Sequence, residues 1–124
     1  PGRTSTLLTA SWDFLPTACE LAGIKDDMGI DGISFLPELI GYEQPEHNFL
    51  YWEFKGIQAV RKGTWKGIRY NDGNNKTGID ELYDLSSDQG EKNNLSDHQK
   101  ELAKEMEIIM DEQHSPNKDF PLNY

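Results

Sequence analysis

The segment from Asn48 to Leu85 constrains the fold most, because its aromatic and aliphatic residues follow the two-residue period of β-strands. Glycine interrupts the pattern at Gly56 and within Lys62-Gly63-Thr64, which is typical of a short hairpin turn. No stretch between the strands is long enough for a helical crossover, so we expect antiparallel pairing. The predicted strands are 48–54, 57–61, 65–70 and 81–85.

A helical pattern follows the strands. Ser96 and Gln99 have the spacing of a capping box, and the apolar stripe after them is expected to cover one face of the sheet. The stripe consists of Leu102, Ala103, Met106, Ile109 and Met110. Residues 46–124 are therefore predicted to form an α+β subdomain, in which an antiparallel sheet of about four strands is packed by a carboxy-terminal helix.

Residues 1–45 are predicted to form two short helices with loops. Asp13 is expected to cap the first helix by accepting hydrogen bonds from its free amides, and Gly23 to end it. The second helix is expected from Ser34 to Ile40. Two short helices bury little surface, so we expect them to dock on a domain that lies outside this chain. The start at Pro1 rather than Met agrees with that expectation.

Charge and hydropathy disfavour two classes of partner. The net charge of −10 over 124 residues repels phosphates, so we expect binding neither to nucleic acid nor to anionic membranes. No apolar run approaches the roughly 20 residues that a membrane-spanning helix needs.

The reactive side chains form no recognisable catalytic group. Cys19 is the single cysteine and lacks a histidine partner in the sequence, so we expect it to act as a small hydrophobic residue. His47, His98 and His114 each lie among polar residues, and we expect all three to be exposed and none to be spaced with a partner for metal binding. No catalytic residue is therefore predicted.

One pattern superficially resembles a calcium-binding loop of the EF-hand type. Its third position is Gly29, which removes a carboxylate that such a loop needs, so we expect no metal site in the chain. The residues at positions 1, 5, 6 and 12 of the pattern are Asp27, Asp31, Gly32 and Glu38.

The cluster Tyr51-Trp52-Glu53-Phe54-Lys55 is equipped to contact a ligand. Trp52 offers a stacking surface, Glu53 hydrogen bonds and Lys55 a positive charge, which together suit a sugar or a sulfated sugar. The alternative is that Trp52 and Phe54, which share a face by alternation, are the core-facing side of a strand.

Five cations lie between Glu53 and Asp72 with no acidic residue among them. Such a run indicates an anionic ligand, an acidic neighbouring surface or simply the solvated face of a strand pair. These cations are Lys55, Arg61, Lys62, Lys66 and Arg69.

Four sequence motifs resemble those of the formylglycine-dependent (type I) sulfatases, a family that includes arylsulfatases and N-sulfoglucosamine sulfohydrolases. They occur in the same order and with similar spacing. They cover nearly the whole chain, with Gln89 where the family usually has proline. The family patterns are D-x-x-P-T-x-x-x-L-A-G, D-G-x-S-L-x-P, A-V-R-x-G-x-W-K and E-L-Y-D-L-x-x-D-P-x-E-x-x-N-L. The matching stretches are residues 13–23, 31–37, 59–66 and 81–95.

The resemblance implies that the whole protein hydrolyses sulfate esters or sulfamates. It would use a formylglycine made in a C/S-x-P-x-R motif and a calcium ion held by Asp and Asn side chains. That motif is absent here, since Cys19 is followed by Glu20-Leu21-Ala22. The family's metal ligands precede the matching region, so no catalytic residue is carried over, and we expect the chain alone to be inactive.

In this family the corresponding region packs against the catalytic domain, and its loops reach the rim of the substrate pocket. The resemblance therefore assigns residues 1–45 to the end of the catalytic α/β domain, and it makes the missing remainder of that domain and a sulfated glycan the expected partners. It makes Trp52, Glu53 and Lys55 the candidate substrate-binding residues. It implies a periplasmic, lysosomal or secreted protein, and exposed surface on residues 1–45 would favour self-association. The alternative function is an independent module that binds anionic glycans through the basic hairpin of residues 55–69.

Overall fold

The computed structural model describes residues 2, 4–24, 29–71 and 78–122. Contacts divide the chain into two compact units, Pro1–Asn48 and Phe49–Tyr124. The assignment of residues 1–45 to a catalytic domain remains a prediction.

The first unit contains a 3-10 turn at Ser11–Asp13, helix α1 at Phe14–Leu21 and helix α2 at Leu36–Ile40. Gly23 (φ 73°) and Gly41 (φ 83°) follow the two helices in the left-handed conformation, which is the role that the sequence predicted for Gly23. The second helix begins at Leu36 rather than at Ser34, whose hydroxyl oxygen accepts a hydrogen bond from the Leu36 amide at 3.2 Å.

The predicted capping role of Asp13 is wrong in detail. Its carboxylate accepts hydrogen bonds from the Ala10 amide at 2.7 Å and the Ile33 amide at 2.9 Å, rather than from the first turn of α1. The preceding 3-10 turn makes Asp13 itself helical, so its side chain points away from the amides that follow. Thr17 continues the link, because its hydroxyl donates to the Asp13 carbonyl and accepts from the Phe35 amide.

The second unit is built on the predicted four-stranded antiparallel sheet. Its strands are β1 (Leu50–Phe54), β2 (Ile57–Lys62), β3 (Trp65–Tyr70) and β4 (Glu81–Asp84), in the order β1-β2-β3-β4. Lys55-Gly56 joins β1 to β2, with Phe54 opposite Ile57, and Gly63-Thr64 joins β2 to β3. Each connection is a two-residue hairpin loop, so consecutive strands pair directly.

Helix α3 (Lys100–Gln113) covers one face of this sheet. Val60 and Leu82 contribute to the buried core from the sheet, and Met106, Ile109 and Met110 contribute from the helix. The predicted stripe and the α+β fold are thus confirmed.

The predicted capping box at Ser96 is wrong. The helix begins at Lys100 after Gln99, and no side chain caps its first turn. Ser96 and Asn94 instead hold the preceding loop against β4: the Leu82 amide donates to Asn94 Oδ1 at 3.1 Å, and Asn94 Nδ2 donates to the Asp80 carbonyl at 2.9 Å. The Ser96 hydroxyl donates to the same carbonyl. Contacts with the strand therefore replace the local capping interaction.

Candidate functional site

The structure separates the three candidate substrate-binding residues by face. Glu53 lies opposite Gln58 on the face of the sheet that α3 covers, and Trp52 lies opposite Ala59 on the other face. Trp52 and Phe54 are both exposed, so the interpretation that they form the core-facing side is wrong. Lys55 lies in the turn after them. A single small ligand that contacts Glu53 from the α3 side does not also stack on Trp52.

Glu53 and Lys55 line one shallow pocket of about 60 Å³. The carboxy-terminal segment that follows α3 forms the opposite side of this pocket. The lining residues are Glu53, Phe54, Lys55, Phe120, Pro121 and Leu122. The pocket thus combines apolar walls with one cation and one carboxylate.

Lys55 has an unusual backbone conformation. It occupies the left-handed region at φ 47°, directly before Gly56 at φ 76°. Two successive left-handed residues define the type I′ turn that suits the twist of a hairpin, and Asn or Gly is usual at the first position. The Lys55 ammonium lies 5.3 Å from the centre of the Phe54 ring, which is cation–π distance. The turn therefore carries a side chain that turn propensity alone does not favour.

Two neighbours hold the Glu53 carboxylate. The Tyr51 hydroxyl donates a hydrogen bond to Glu53 Oε2, and His114 Nδ1 lies 2.8 Å from the same oxygen. Burial raises the pKa of the Tyr51 phenol above its ordinary value, and the hydrogen bond to Glu53 and its charge add to that effect. Tyr51 is thus a phenol donor at neutral pH.

The expectation that the histidines are exposed is wrong for His47 and His114. His47 Nε2 lies 2.9 Å from Asp13 Oδ1 and His114 pairs with Glu53, and both histidines are largely shielded from solvent. Each partner is more than 30 residues away in the sequence, so the polar residues flanking each histidine gave no signal of the pairing. His98 is exposed as expected.

A buried polar network lies beside Glu53 under the end of α3. Gln58 is fully buried: its Nε2 donates to the Tyr51 hydroxyl at 2.8 Å, and its Oε1 accepts from Arg69 Nε at 2.9 Å and from Asn71 Nδ2 at 3.0 Å. Arg69 also donates to Asp111 of α3 at 2.7 Å. Tyr51, Arg69 and Asn71 are thereby fixed around one amide.

These contacts change the interpretation of the basic run. Lys62 pairs with Glu105, Lys66 with Glu91 at 2.7 Å, and Arg69 with Asp111. Three of the five cations therefore neutralise carboxylates of the same chain, and Arg69 is buried. This pairing weakens the alternative of an anion-binding hairpin.

The family resemblance implies a metal and a formylglycine, and the described residues do not fit either group. Over the ranges 4–24, 29–71 and 78–122, no three His, Cys, Asp or Glu side chains lie close enough to hold a metal ion. Asp27 of the calcium-like pattern lies outside the described residues. In the same ranges no helix is long and apolar enough to cross a membrane.

A sequence profile described as "N-sulphoglucosamine sulphohydrolase, C-terminal" matches residues 1–115. The chain belongs to this family. The match includes the first unit and, from the second unit, strands β1 to β4 and helix α3. The sulfatase resemblance of the four motifs is thereby confirmed.

Known sulfatases align with most of this chain. Arylsulfatase A of Bos taurus is 33% identical over 129 residues, which cover 85% of this chain and 25% of that protein. Delta 4,5-hexuronate-2-O-sulfatase of Bacteroides thetaiotaomicron is 32% identical over 118 residues, which cover 86% of this chain and 24% of that protein. The solved structure of a 2-O GAG sulfatase matches with a TM-score of 0.67 at 32% identity, over 81% of this chain and 23% of that one. The chain thus spans about a quarter of the length of these relatives.

Proposed function

We propose that this chain is the non-catalytic carboxy-terminal region of an enzyme that hydrolyses sulfate esters of glycans. The observation that carries the proposal is the family match over residues 1–115. The glycan substrate class is supported by the hexuronate sulfatase among the relatives. The compartment we propose for the whole enzyme is the periplasm, the lysosome or the outside of the cell.

The chemistry of such an enzyme would lie elsewhere in the protein. In this family a formylglycine supplies the nucleophile and a metal ion stabilises charge on the sulfate oxygens. Cys19 lies in Ala18-Cys19-Glu20, which does not match the modification motif. This region therefore contributes binding surface and support, and no step of the reaction is assigned to its residues.

The partner we propose for residues 1–48 is the catalytic domain of the same enzyme. Carboxy-terminal domains of sulfatases pack against an amino-terminal catalytic domain. Eight of the 14 exposed large hydrophobic residues lie in this unit, which makes it the more apolar surface of the described chain. They are Phe14, Leu15, Leu21, Ile24, Ile30, Leu39, Ile40 and Tyr42.

The role we propose for Glu53 and Lys55 is selection of substrate at the rim of the active site. Tyr51 and His114 hold Glu53 in place, and Lys55 occupies a left-handed position that costs backbone energy. Unfavourable backbone conformations persist where the side chain has a function or where the surrounding fold enforces them. Trp52 remains a candidate for a second contact on the opposite face of β1.

The first experiment is to determine the coding sequence upstream of the Pro1 codon. We expect an in-frame C/S-x-P-x-R motif and acidic metal ligands. A start codon and signal peptide directly upstream of Pro1 would overturn the proposal and favour the glycan-binding module.

The second experiment measures sulfate release from sulfated disaccharides by the whole enzyme. Glu53→Gln and Lys55→Met are expected to raise KM several-fold with little change in kcat, because they remove contacts made in both ground and transition states. Lys104→Met, on the exposed side of α3, is the control. Unchanged KM in both site variants would contradict the role of these two residues.

A further inference from the structure

The segment after α3 folds back onto the β1–β2 turn. The Asp119 and Phe120 amides donate to Asn117 Oδ1 at 2.8 Å and 3.2 Å, which makes a local turn. A Cβ atom built at Gly56 would lie 3.1 Å from the Leu122 carbonyl oxygen, so the segment passes directly over the turn. His114, at the start of the segment, pairs with Glu53. The close approach of Leu122 to Gly56 and the pairing of His114 with Glu53 therefore place this segment beside the β1–β2 turn.

This path places an aromatic ring beside the candidate site. Phe120 lines the pocket with Glu53 and Lys55, yet 67% of its surface is exposed. Phe54 lines the same pocket and is 64% exposed. Neither ring belongs to the core cluster that α3 covers. The two rings, the ammonium and the carboxylate thus surround one small space.

We propose that Phe120 is a specificity-determining residue that stacks against the apolar face of a singly sulfated sugar ring. Lys55 then pairs with the sulfate, and Glu53 accepts a hydrogen bond from a ring hydroxyl. This inference rests on the proposed function and adds a residue that no sequence pattern singled out. Phe120 contacts substrate only, and no reaction step depends on it.

The composition of the pocket favours this ligand over simpler ones. Inorganic sulfate would use Lys55 alone and would leave both rings and Glu53 without a contact. An unsulfated sugar would use the rings and Glu53 without the ammonium. A polyanion would be repelled by the net charge of −10. A sugar with one sulfate matches all the polar and apolar groups together.

The test is isothermal titration calorimetry of the whole enzyme with glucose 6-sulfate, glucose and inorganic sulfate. Glucose 6-sulfate is expected to bind most tightly of the three. Phe120→Ala should weaken this binding about three- to tenfold, which is the effect of losing one aromatic contact. Ile108→Ala removes an exposed apolar side chain of α3 and should leave the affinity unchanged.

The outcomes separate this inference from the proposed function. If Glu53→Gln and Lys55→Met weaken binding while Phe120→Ala does not, the stacking role is wrong and the roles of Glu53 and Lys55 stand. If glucose 6-sulfate binds no better than glucose or sulfate, or not at all, the inference is overturned. The upstream coding sequence still decides the sulfatase proposal in that case, because it does not depend on this pocket.

Discussion

Asp13 shows how much a single buried side chain organises in the first unit. Burial works to raise the pKa of Asp13, but the hydrogen bonds from the Ala10 and Ile33 amides and the contact with His47 outweigh it and lower the pKa. The carboxylate is therefore the form that the folded chain favours. Its amide bonds join the 3-10 turn to the segment that leads into α2.

Asp13→Asn is expected to destabilise the chain by about 2 kcal/mol at pH 7, because an amide nitrogen would face one of the two N–H donors. The lowered pKa means that the carboxylate stabilises the fold above its ordinary pKa of 3.8, and that this stabilisation is lost as the pH falls further. The variant should therefore lose less stability than wild type between pH 5 and pH 2.5. Urea denaturation at both pH values measures this, with the exposed Glu20→Gln as control. Parallel pH dependence in Asp13→Asn and wild type would contradict it.

Lys55 offers the opposite case, a residue whose replacement should stabilise the fold. Lys55→Asn is expected to raise the free energy of unfolding by about 0.5 kcal/mol, because Asn adopts the left-handed region more readily. Lys104→Asn in the middle of α3 should lower it, because Asn is a poorer helix former than Lys. Chemical denaturation compares the two. A loss of stability in Lys55→Asn would mean that the lysine side chain itself stabilises the hairpin.

At the scale of elements, the approach of α3 to the sheet depends on Gly67 in the middle of β3. A Cβ atom there would lie 2.7 Å from the sulfur of buried Met106. Gly67→Ala is expected to cost about 1–3 kcal/mol, since the helix or Met106 must shift in a packed core. Gly90→Ala meets only the flexible Lys92 side chain and should cost much less. Equal denaturation midpoints for the two variants would show that α3 has room to move.

The polar network around Gln58 ties the same helix to the sheet edge. Gln58→Met keeps the volume but leaves Arg69 and Asn71 without their buried acceptor, so we expect a loss of about 2–4 kcal/mol. Asp111→Asn should cost less than about 1 kcal/mol, because Asp111 is 61% exposed and water replaces the ion pair. Thermal unfolding of both variants checks the ranking. A cost for Asp111→Asn that matches Gln58→Met would contradict it.

At the scale of the whole molecule, the exposed apolar residues of the first unit predict self-association of the isolated chain. Phe14→Ser combined with Leu21→Ser should shift the chain toward monomer, because both side chains are exposed. Ile108→Ser, an exposed position on α3, is the control and should leave the association unchanged. Sedimentation velocity at several concentrations measures the effect. A monomeric wild-type chain at all concentrations would contradict the prediction.

Local sequence patterns predicted the strands and helices more accurately than they predicted the side-chain contacts. Strand alternation located all four strands within two residues at their ends, and the stripe on α3 identified the buried helix face. The predicted Ser96 capping box and Asp13 cap are wrong because both side chains bond to segments that are distant in sequence. Ser96 bonds to the Asp80 carbonyl, and Asp13 bonds to the Ile33 amide. The pairing of His114 with Glu53 spans 61 residues, so no local pattern indicates it.

The sequence by itself determined the four strands, their antiparallel pairing, the helix that covers the sheet and the family, because these follow from short-range periodicity, turn chemistry and motif order. Only the tertiary structure decided which groups meet at the candidate site. It placed Trp52 and Glu53 on opposite faces and neutralised three of the five cations. It also brought Phe120 beside Lys55. The physical reason is that the return path of the chain after α3 depends on packing and long-range hydrogen bonds, which neighbouring residues do not encode.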